Sequence, residues 1–387
     1  SKLDFFATYI TTAHQAQQQV LIIFPTKAQM LEYQGSLNTK FQSLINTTVF
    51  LGLRSSVIAP HTNLATVIID DEHHPLYREQ RNPHIDATVV AEARWSATGV
   101  QLIFASYAPS LQRYHAAQRG AMNLIEAKRG TLTHDAVLID TRNEAQHTIS
   151  LALQKAIQET LARNKKVLLL LNRRGLATWV FCTDCKKVCI CPHCETPTVF
   201  HKITRMLICH YCNFQEPLPL FCPACKNPDL QLRGKGTEKV VEELKELFHH
   251  ASIARVDLDN PSILTTMADI TIGTQMLFTA LPASLLSETG LIGVISADTA
   301  LNMPVLTAPE HTFQLLMHTL VLSASYHIPV MVQTMLPEHY AILNALSGNA
   351  AGFYTQELSM RQQFFYPPFS HLIKLGILSR TRAQGER

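Results

Sequence analysis

Ile68-Ile69-Asp70-Asp71-Glu72-His73 is an apolar run that ends in acids and a histidine. In a parallel α/β layer, that arrangement puts a carboxylate at the carboxyl end of a strand, where it can hold nucleotide-bound Mg2+. The same letters also suit a solvated strand end, so the neighbours decide. Short apolar runs bounded by polar or helical stretches recur around it at 20–24, 48–51, 66–69 and 101–104, the pattern of buried parallel strands. A second set at 166–171, 253–256, 269–272, 291–295 and 330–333 has helical segments such as 151–163 and 238–248 between its members. Two α/β lobes follow, with no internal repeat and no low-complexity tract.

Between the first and second strands of lobe 2 stand four Cys-x-x-Cys knuckles, Cys182/Cys185, Cys191/Cys194, Cys209/Cys212 and Cys222/Cys225. Each knuckle offers two sulfurs on one tight turn, so eight thiols fit two tetrahedral four-cysteine zinc sites, with no open position for catalysis. Metal binding of roughly 10–16 kcal/mol per structural site can order such a short segment. The ninth cysteine, Cys189, makes the count odd, and the N-terminus carries no charged-then-apolar signal; both argue against disulfides and for a reducing compartment. Four copies in so short a segment also argue against a redox motif, and His193, His201 and His210 read as surface or packing residues. The spacing leaves the pairing open. Cys191/Cys194 with Cys209/Cys212 would close a compact ribbon inside a larger loop held by the outer pairs, and this nested arrangement is preferred.

At 387 residues and 47% hydrophobic content, the chain can bury more than one core, which suggests two or three domains. No apolar run approaches the roughly 18 residues needed to span a bilayer, so the expectation is a soluble, cytoplasmic, nucleoid-associated protein with no membrane partner. The net charge of +3 hides an asymmetry. Residues 165–239 carry twelve Lys or Arg against five Asp or Glu, net +7, so the remainder is acidic. Positive charge around the zinc segment, with Arg173, Arg174, Lys186 and Lys187 as candidate DNA contacts, suits a phosphate-facing surface as well as an ordinary solvated one.

Taken together, Asp70-Asp71-Glu72-His73, the cysteine module and Asn172-Arg173-Arg174-Gly175 closely resemble the replication-restart DNA helicase family, primosomal protein N′ (PriA). The resemblance covers nearly the whole chain. In lobe 1 it includes Phe24-Pro25, the run from Leu51 to Pro60, and Ala105-Ser106-Tyr107-Ala108-Pro109-Ser110. In lobe 2 it includes Gly236-Thr237-Glu238, Arg255 to Asp259, Ile272 to Leu277, Ala297-Asp298-Thr299, Leu301-Asn302 and Phe313-Gln314-Leu315-Leu316. It implies two RecA-like lobes of a superfamily 2 helicase with a double-zinc module inserted in the second. The expected boundaries are 1–134 for lobe 1, 135–180 and 230–335 for lobe 2, 181–229 for the zinc insertion and 336–387 for the start of a C-terminal domain. It further implies binding to branched or single-stranded DNA at stalled forks, contact with primosome or helicase-loader proteins, ATP with Mg2+, and the nested cysteine pairing.

The departures from the family pattern lie in the catalytic parts. Ser1-Lys2-Leu3 stands where Ser-Gly-Lys-Thr is expected, so the chain reads as a fragment; Lys2 is the candidate phosphate lysine, with an exposed terminal lysine as the competing reading. Leu3 cannot give Mg2+ a hydroxyl. Asp71 stands where a Glu orients the attacking water, one methylene short, a displacement of about 1 Å that can cost roughly 100-fold. Ala105 and Tyr107 replace Gly and Ala of the lobe-coupling motif, and Thr279 and Ala280 replace Lys-Gly. In the last motif, His318 to Ser325 aligns with Gln-Val-Ala-Gly-Arg-Ala-Gly-Arg, which leaves Leu322 and Ser325 at the two arginine positions. An arginine on the transferring phosphate is worth about 10³–10⁵ in rate, and His318 and His327 are poor substitutes for a fixed guanidinium. Glu195 and Lys226 replace the glycines after two knuckles. The reading is a degenerate motor, catalytic residues Asp70 and Asp71, retained as a scaffold for DNA or primosome. The alternatives are an active ATP-dependent 3′-to-5′ DNA helicase and a zinc-ribbon adaptor that contacts only protein.

Overall fold

The structure, a computed structural model, describes residues 2–79, 84–126, 135–142, 144, 148–171, 178–185, 187, 189–192, 198–201, 205–209, 214–233, 237–256, 268–274, 283–301 and 305–373. Lobe 1 begins with helix α1 (Lys2–Gln15), strand β1 (Gln19–Ile23), α2 (Lys27–Phe41), β2 (Val49–Gly52) and β3 (Leu64–Asp70). It continues through α3 (Ala87–Thr98), β4 (Gln101–Ala105) and α4 (Leu111–Gln118). The strands form a parallel sheet of order β2-β1-β3-β4. β1 and the second half of β3 are buried on both faces, which is why they read as unbroken Val/Ile/Leu runs rather than alternating ones. Phe6, Ile10 and Leu37 from α1 and α2 cover one face, and Ala87, Ala91 and Val57 the other. Gly52 is required where it stands, because a Cβ there would lie 2.1 Å from the Ser56 hydroxyl oxygen.

Lobe 2 is a six-stranded parallel sheet. Its strands are β5 (Ala136–Asp140), β6 (Lys166–Leu170), β12 (Ile253–Val256), β13 (Ile270–Gly273), β14 (Thr289–Val294) and β15 (Val330–Thr334), in the order β12-β13-β6-β14-β15-β5. Central β6 divides its side chains by alternation, Leu168 and Leu170 into one core and Val167 and Leu169 into the other. α5 (Leu151–Ala162), N-capped by the Ser150 side chain, and α6 (Thr237–Leu247) cover the second core. The first is covered by α7 (Ala308–Tyr326), α8 (Tyr340–Leu346) and α9 (Ala350–Gln363). Residues 336–363, expected to begin a separate domain, therefore complete this core: Ala341, Ile342, Ala345, Phe353, Tyr354 and Leu358 are buried in it. Ala108 and Leu111 of lobe 1 are buried in the same cluster.

The cysteine module is a five-stranded antiparallel sheet, β7 (Thr178–Cys182), β8 (Val199–His201), β9 (Met206–Ile208), β10 (Gln215–Pro217) and β11 (Leu230–Arg233), of order β10-β9-β8-β7-β11. β7 and β11 pair as the entering and leaving strands, which sets the inserted segment at 178–233, a few residues wider than the sequence suggested. Its buried core consists of Val180, Cys189, Phe200 and Leu207, with Leu230 packed against them. Among the described residues this apolar core is small, the kind that a metal or a cross-link commonly reinforces. Among the described residues, no helix is long and apolar enough to cross a membrane.

Candidate nucleotide and zinc sites

β3 delivers Asp70 to the carboxyl edge of the lobe 1 sheet, between the ends of β1 and β4. The buried Tyr77 hydroxyl lies 2.9 Å from the Ile23 carbonyl oxygen and 2.5 Å from that of Asp70, tying the two strand ends together. Asp71 follows in the left-handed region at φ 47°, a conformation that Asp tolerates better than most residues. α1 places Lys2 against both acids. Its Nζ donates to Asp70 Oδ1 and Asp71 Oδ1, each at 2.7 Å, with only 14% of the lysine side chain exposed. The reading of Lys2 as a merely exposed terminal residue is thus replaced by a buried pairing. Burial disfavours the Lys2 charge, but Asp70 and Asp71 overcome it and hold its pKa well above the usual lysine value. Burial pushes Asp70 up to about 6 against the pull of Lys2. At Asp71 burial acts in the same direction, but Lys2, then His318 and His73, override it and keep that carboxyl below the ordinary range. The two acids share one ammonium, and on titration Asp71 gives up its proton before Asp70 does.

The rest of the motif is wired to the segment after β4. Glu72 accepts the Ser110 amide and, at 3.1 Å, the Ser110 hydroxyl; burial raises its carboxyl to about 7 despite these bonds. His73 Nδ1 lies 2.9 Å from Ser106 Oγ, and burial lowers its ring to about 4. The next amide, Leu111 N, goes to Glu310 Oε1 of α7 at 2.8 Å. The first amides of α4 are therefore taken by two carboxylates, one from each lobe, at the end of the helix that favours negative charge. Behind Glu310, Arg361 Nη2 donates to Glu310 Oε2 at 3.0 Å and Arg361 Nε to Glu357 Oε1 at 2.8 Å. None of these connections was read from sequence. The only local cue was the i, i+4 pair Glu357/Arg361.

His318, Leu322 and Ser325 share one face of α7 by helical spacing. His318 lies 5.8 Å, ring to ring, from Tyr107 of lobe 1 and within electrostatic reach of Asp71. Leu322 packs against the lobe 2 core, and the Ser325 hydroxyl donates to its own helix at Val321 O. Arg173, Arg174 and Lys186 lie outside the described residues, as do Thr279 and Ala280, while Lys187 and Lys226 are exposed.

In the cysteine module the outer knuckles meet. The sulfur atoms of Cys182, Cys185, Cys222 and Cys225 all lie within 4.8 Å of one another, with 3.4 Å between Cys182 and Cys225 and 3.7 Å between Cys185 and Cys222. A Zn–S bond of about 2.3 Å gives a tetrahedron edge of about 3.8 Å, so the four donors fit the ion in number, chemistry and spacing. Hydrogen bonds from the Cys225 amide, and then from Ala224, pull the Cys222 thiol down to about 6, toward the thiolate that zinc needs. Lys226, in the family's glycine position, takes φ +61° and keeps the turn, donating Lys226 N to Cys222 O at 2.9 Å. Of the inner set, Cys191 and Cys209 are buried, and Cys194 and Cys212 lie outside the described residues. Cys189 is a core residue whose thiol burial raises to about 11.

Residues 191–217 match the profile of the family described as PriA DNA helicase Cys-rich region (CRR) domain. The chain is 33% identical over 342 residues to the replication restart protein PriA of Bacillus subtilis, covering 83% of this chain and 42% of that protein. It is also 33% identical over 390 residues to that of Chlamydia trachomatis, covering 92% and 51%. Among solved structures, S. cerevisiae Dbp5 bound to RNA and ADP BeF3 aligns with 91% of this chain and 80% of its own at 12% identity and a TM-score of 0.48. The chain spans about half the length of the relatives it matches. With the zinc-ribbon match set inside the longer alignments, and the strand-end acids and outer cysteine quartet in place, the chain belongs to the PriA family of replication restart proteins, built as two parallel α/β lobes with a cysteine-rich zinc module in the second.

Proposed function

We propose that this chain is the two-lobe core and zinc module of a replication-restart protein that binds stalled or branched DNA and supports primosome assembly, with a motor that does not turn over ATP at a helicase rate. The observation that carries the motor reading is that Leu322 and Ser325 stand at the arginine positions on α7, one and two turns beyond His318, the residue of that helix within electrostatic reach of Asp71. Without a guanidinium at these two positions, α7 offers no fixed cation there for the charge that develops on a transferring phosphate. Two zinc ions, one in Cys182/Cys185/Cys222/Cys225 and one in Cys191/Cys194/Cys209/Cys212, would hold the module, and the ions supply structure rather than chemistry. ATP and Mg2+, if bound, would use Lys2 and Asp70. The surviving Lys2–Asp70–Asp71 constellation favours the second reading, an active 3′-to-5′ helicase.

DNA-stimulated phosphate release, measured on this chain and on its natural full-length form, separates the two readings. Background-level release is expected, whereas robust release abolished by Asp70→Asn establishes the helicase. Binding to forked DNA should weaken steeply with salt, and replacing Lys186 and Lys187 with Glu should lower affinity for different sequences alike. Unchanged affinity and salt slope would move the DNA surface elsewhere.

A further inference from the structure

Lys2, the residue placed to meet a phosphate, is already satisfied from within the chain. An ammonium has three N–H donors. Two of them go to Asp70 Oδ1 and Asp71 Oδ1 at 2.7 Å, and the Tyr107 ring lies over the nitrogen at 4.1 Å from its centroid. An aromatic face at that distance attracts a desolvated cation through its quadrupole. The ring is itself backed from lobe 2 by His318, at 5.8 Å and an interplanar angle of 44°. Asp71 is fixed in turn by Gln29, whose Nε2 donates to the second carboxylate oxygen at 3.3 Å. Where the family has a small Ala, which would leave the ammonium open on that side, this chain has an aromatic lid.

We infer that Tyr107 is an internal cap on the phosphate lysine, closing the strand-end site to the polyphosphate of a nucleoside triphosphate. This deepens the degenerate-motor reading and rests on it. To bind, a polyphosphate must take Lys2 away from two buried carboxylates and displace the ring, leaving its own negative charge facing theirs. The probes are inorganic tripolyphosphate and MgATP, titrated calorimetrically without DNA into the full chain and into Tyr107→Ala, Tyr107→Leu and Tyr107→Phe. Loss of the π face in the Ala and Leu variants should tighten binding by roughly tenfold or more, while Phe, which keeps it, should match the parent. The Leu variant fills most of the volume, so a fold lost through a cavity in Tyr107→Ala does not leave the question open. A parent that binds either probe as tightly as Tyr107→Leu overturns the cap. The two readings fail separately, because DNA-stimulated turnover by the parent defeats the degenerate motor, whereas tight tripolyphosphate binding by a parent without turnover defeats the cap alone.

Discussion

Replacing Arg361 with Met should be among the most damaging single changes outside the zinc module. The Arg361 side chain is 5% exposed, and its partners Glu310 and Glu357 are 10% and 4% exposed. The guanidinium also donates to the carbonyl oxygens of Pro367 at 3.2 Å and Leu306 at 3.4 Å. Met keeps most of the stem volume and removes the charge, leaving two buried carboxylates without a cation. Breaking a buried pair in this way costs about 3–5 kcal/mol. Each carboxylate retains one donor, Leu111 N for Glu310 and the Tyr340 hydroxyl for Glu357, which moves the expectation to the lower end, about 3 kcal/mol. For a domain of this size that is a fall in melting temperature of roughly 6–12 °C, readable by scanning calorimetry. Adding Glu310→Gln and Glu357→Gln to Arg361→Met should recover most of the loss, because the penalty comes from the stranded charges rather than the missing contact. A single variant that melts within a degree or two of the parent, or a triple variant no more stable than the single, would refute the reasoning.

Metal analysis of the purified chain should give about two zinc per molecule, and Cys189→Ser should leave that ratio unchanged because Cys189 packs with Val180, Phe200 and Leu207; a clear loss of metal would make it a ligand. Lys226→Gly removes a Cβ from a left-handed residue, a relief of up to about 1 kcal/mol, and should slow zinc extraction by a chelator; faster extraction would contradict it. Glu72 has its carboxyl raised from 4.5 to about 7. The folded chain therefore keeps a proton that the unfolded chain releases, and this contribution, full below 4.5, is lost as the pH rises through 7. Denaturation midpoints of Glu72→Gln relative to the parent should shift in the variant's favour across that window and level off above it, whereas a constant gap would show that Glu72 is ionised throughout.

The strands were legible because buried parallel strands leave unbroken apolar runs. β5 was not singled out although Ala136 to Ile139 is an apolar run; it lies at the sheet edge, where Val137 is exposed and the run is not buried on both faces. The outer cysteine quartet was legible because a knuckle is local in sequence, and its four sulfurs meet as the outer half of the nested arrangement requires. Tyr107 over Lys2, and Glu310 between Leu111 N and Arg361, were invisible for the opposite reason. Residues 2, 71, 107 and 318 meet only through the order of two sheets and the turn after β4, and Glu310 lies 51 positions from Arg361 with no periodicity joining them. Sequence could mark Tyr107 as a departure from the family pattern, but not what the larger ring would touch.

The turn after β4 also bears on why a chain without its arginines would keep its architecture. Leu111 N to Glu310 at 2.8 Å, the Tyr354 hydroxyl to Pro109 O at 2.7 Å, Gln314 Nε2 to Ala108 O at 3.4 Å and the Tyr114–Tyr354 stack at 4.0 Å all join lobe 1 to lobe 2. At about 1 kcal/mol for a neutral bond, somewhat more for the one to a carboxylate and about 1 for the ring pair, these contacts amount to roughly 5 kcal/mol. A ligand must supply about 5.5 kcal/mol of differential affinity to carry a two-state equilibrium from one side to the other. Contacts of this size therefore do, without a nucleotide, what a cycling motor asks its nucleotide to do. The three hydrogen bonds pass through Ala108 to Leu111, within the segment wired to Glu72 and His73, the ring pair uses Tyr114 just beyond it, and none of them uses Leu322 or Ser325. On the proposed reading, arginines missing from α7 would cost hydrolysis and leave these contacts between the lobes intact, so a chain that does not turn over would still hold its two lobes in register.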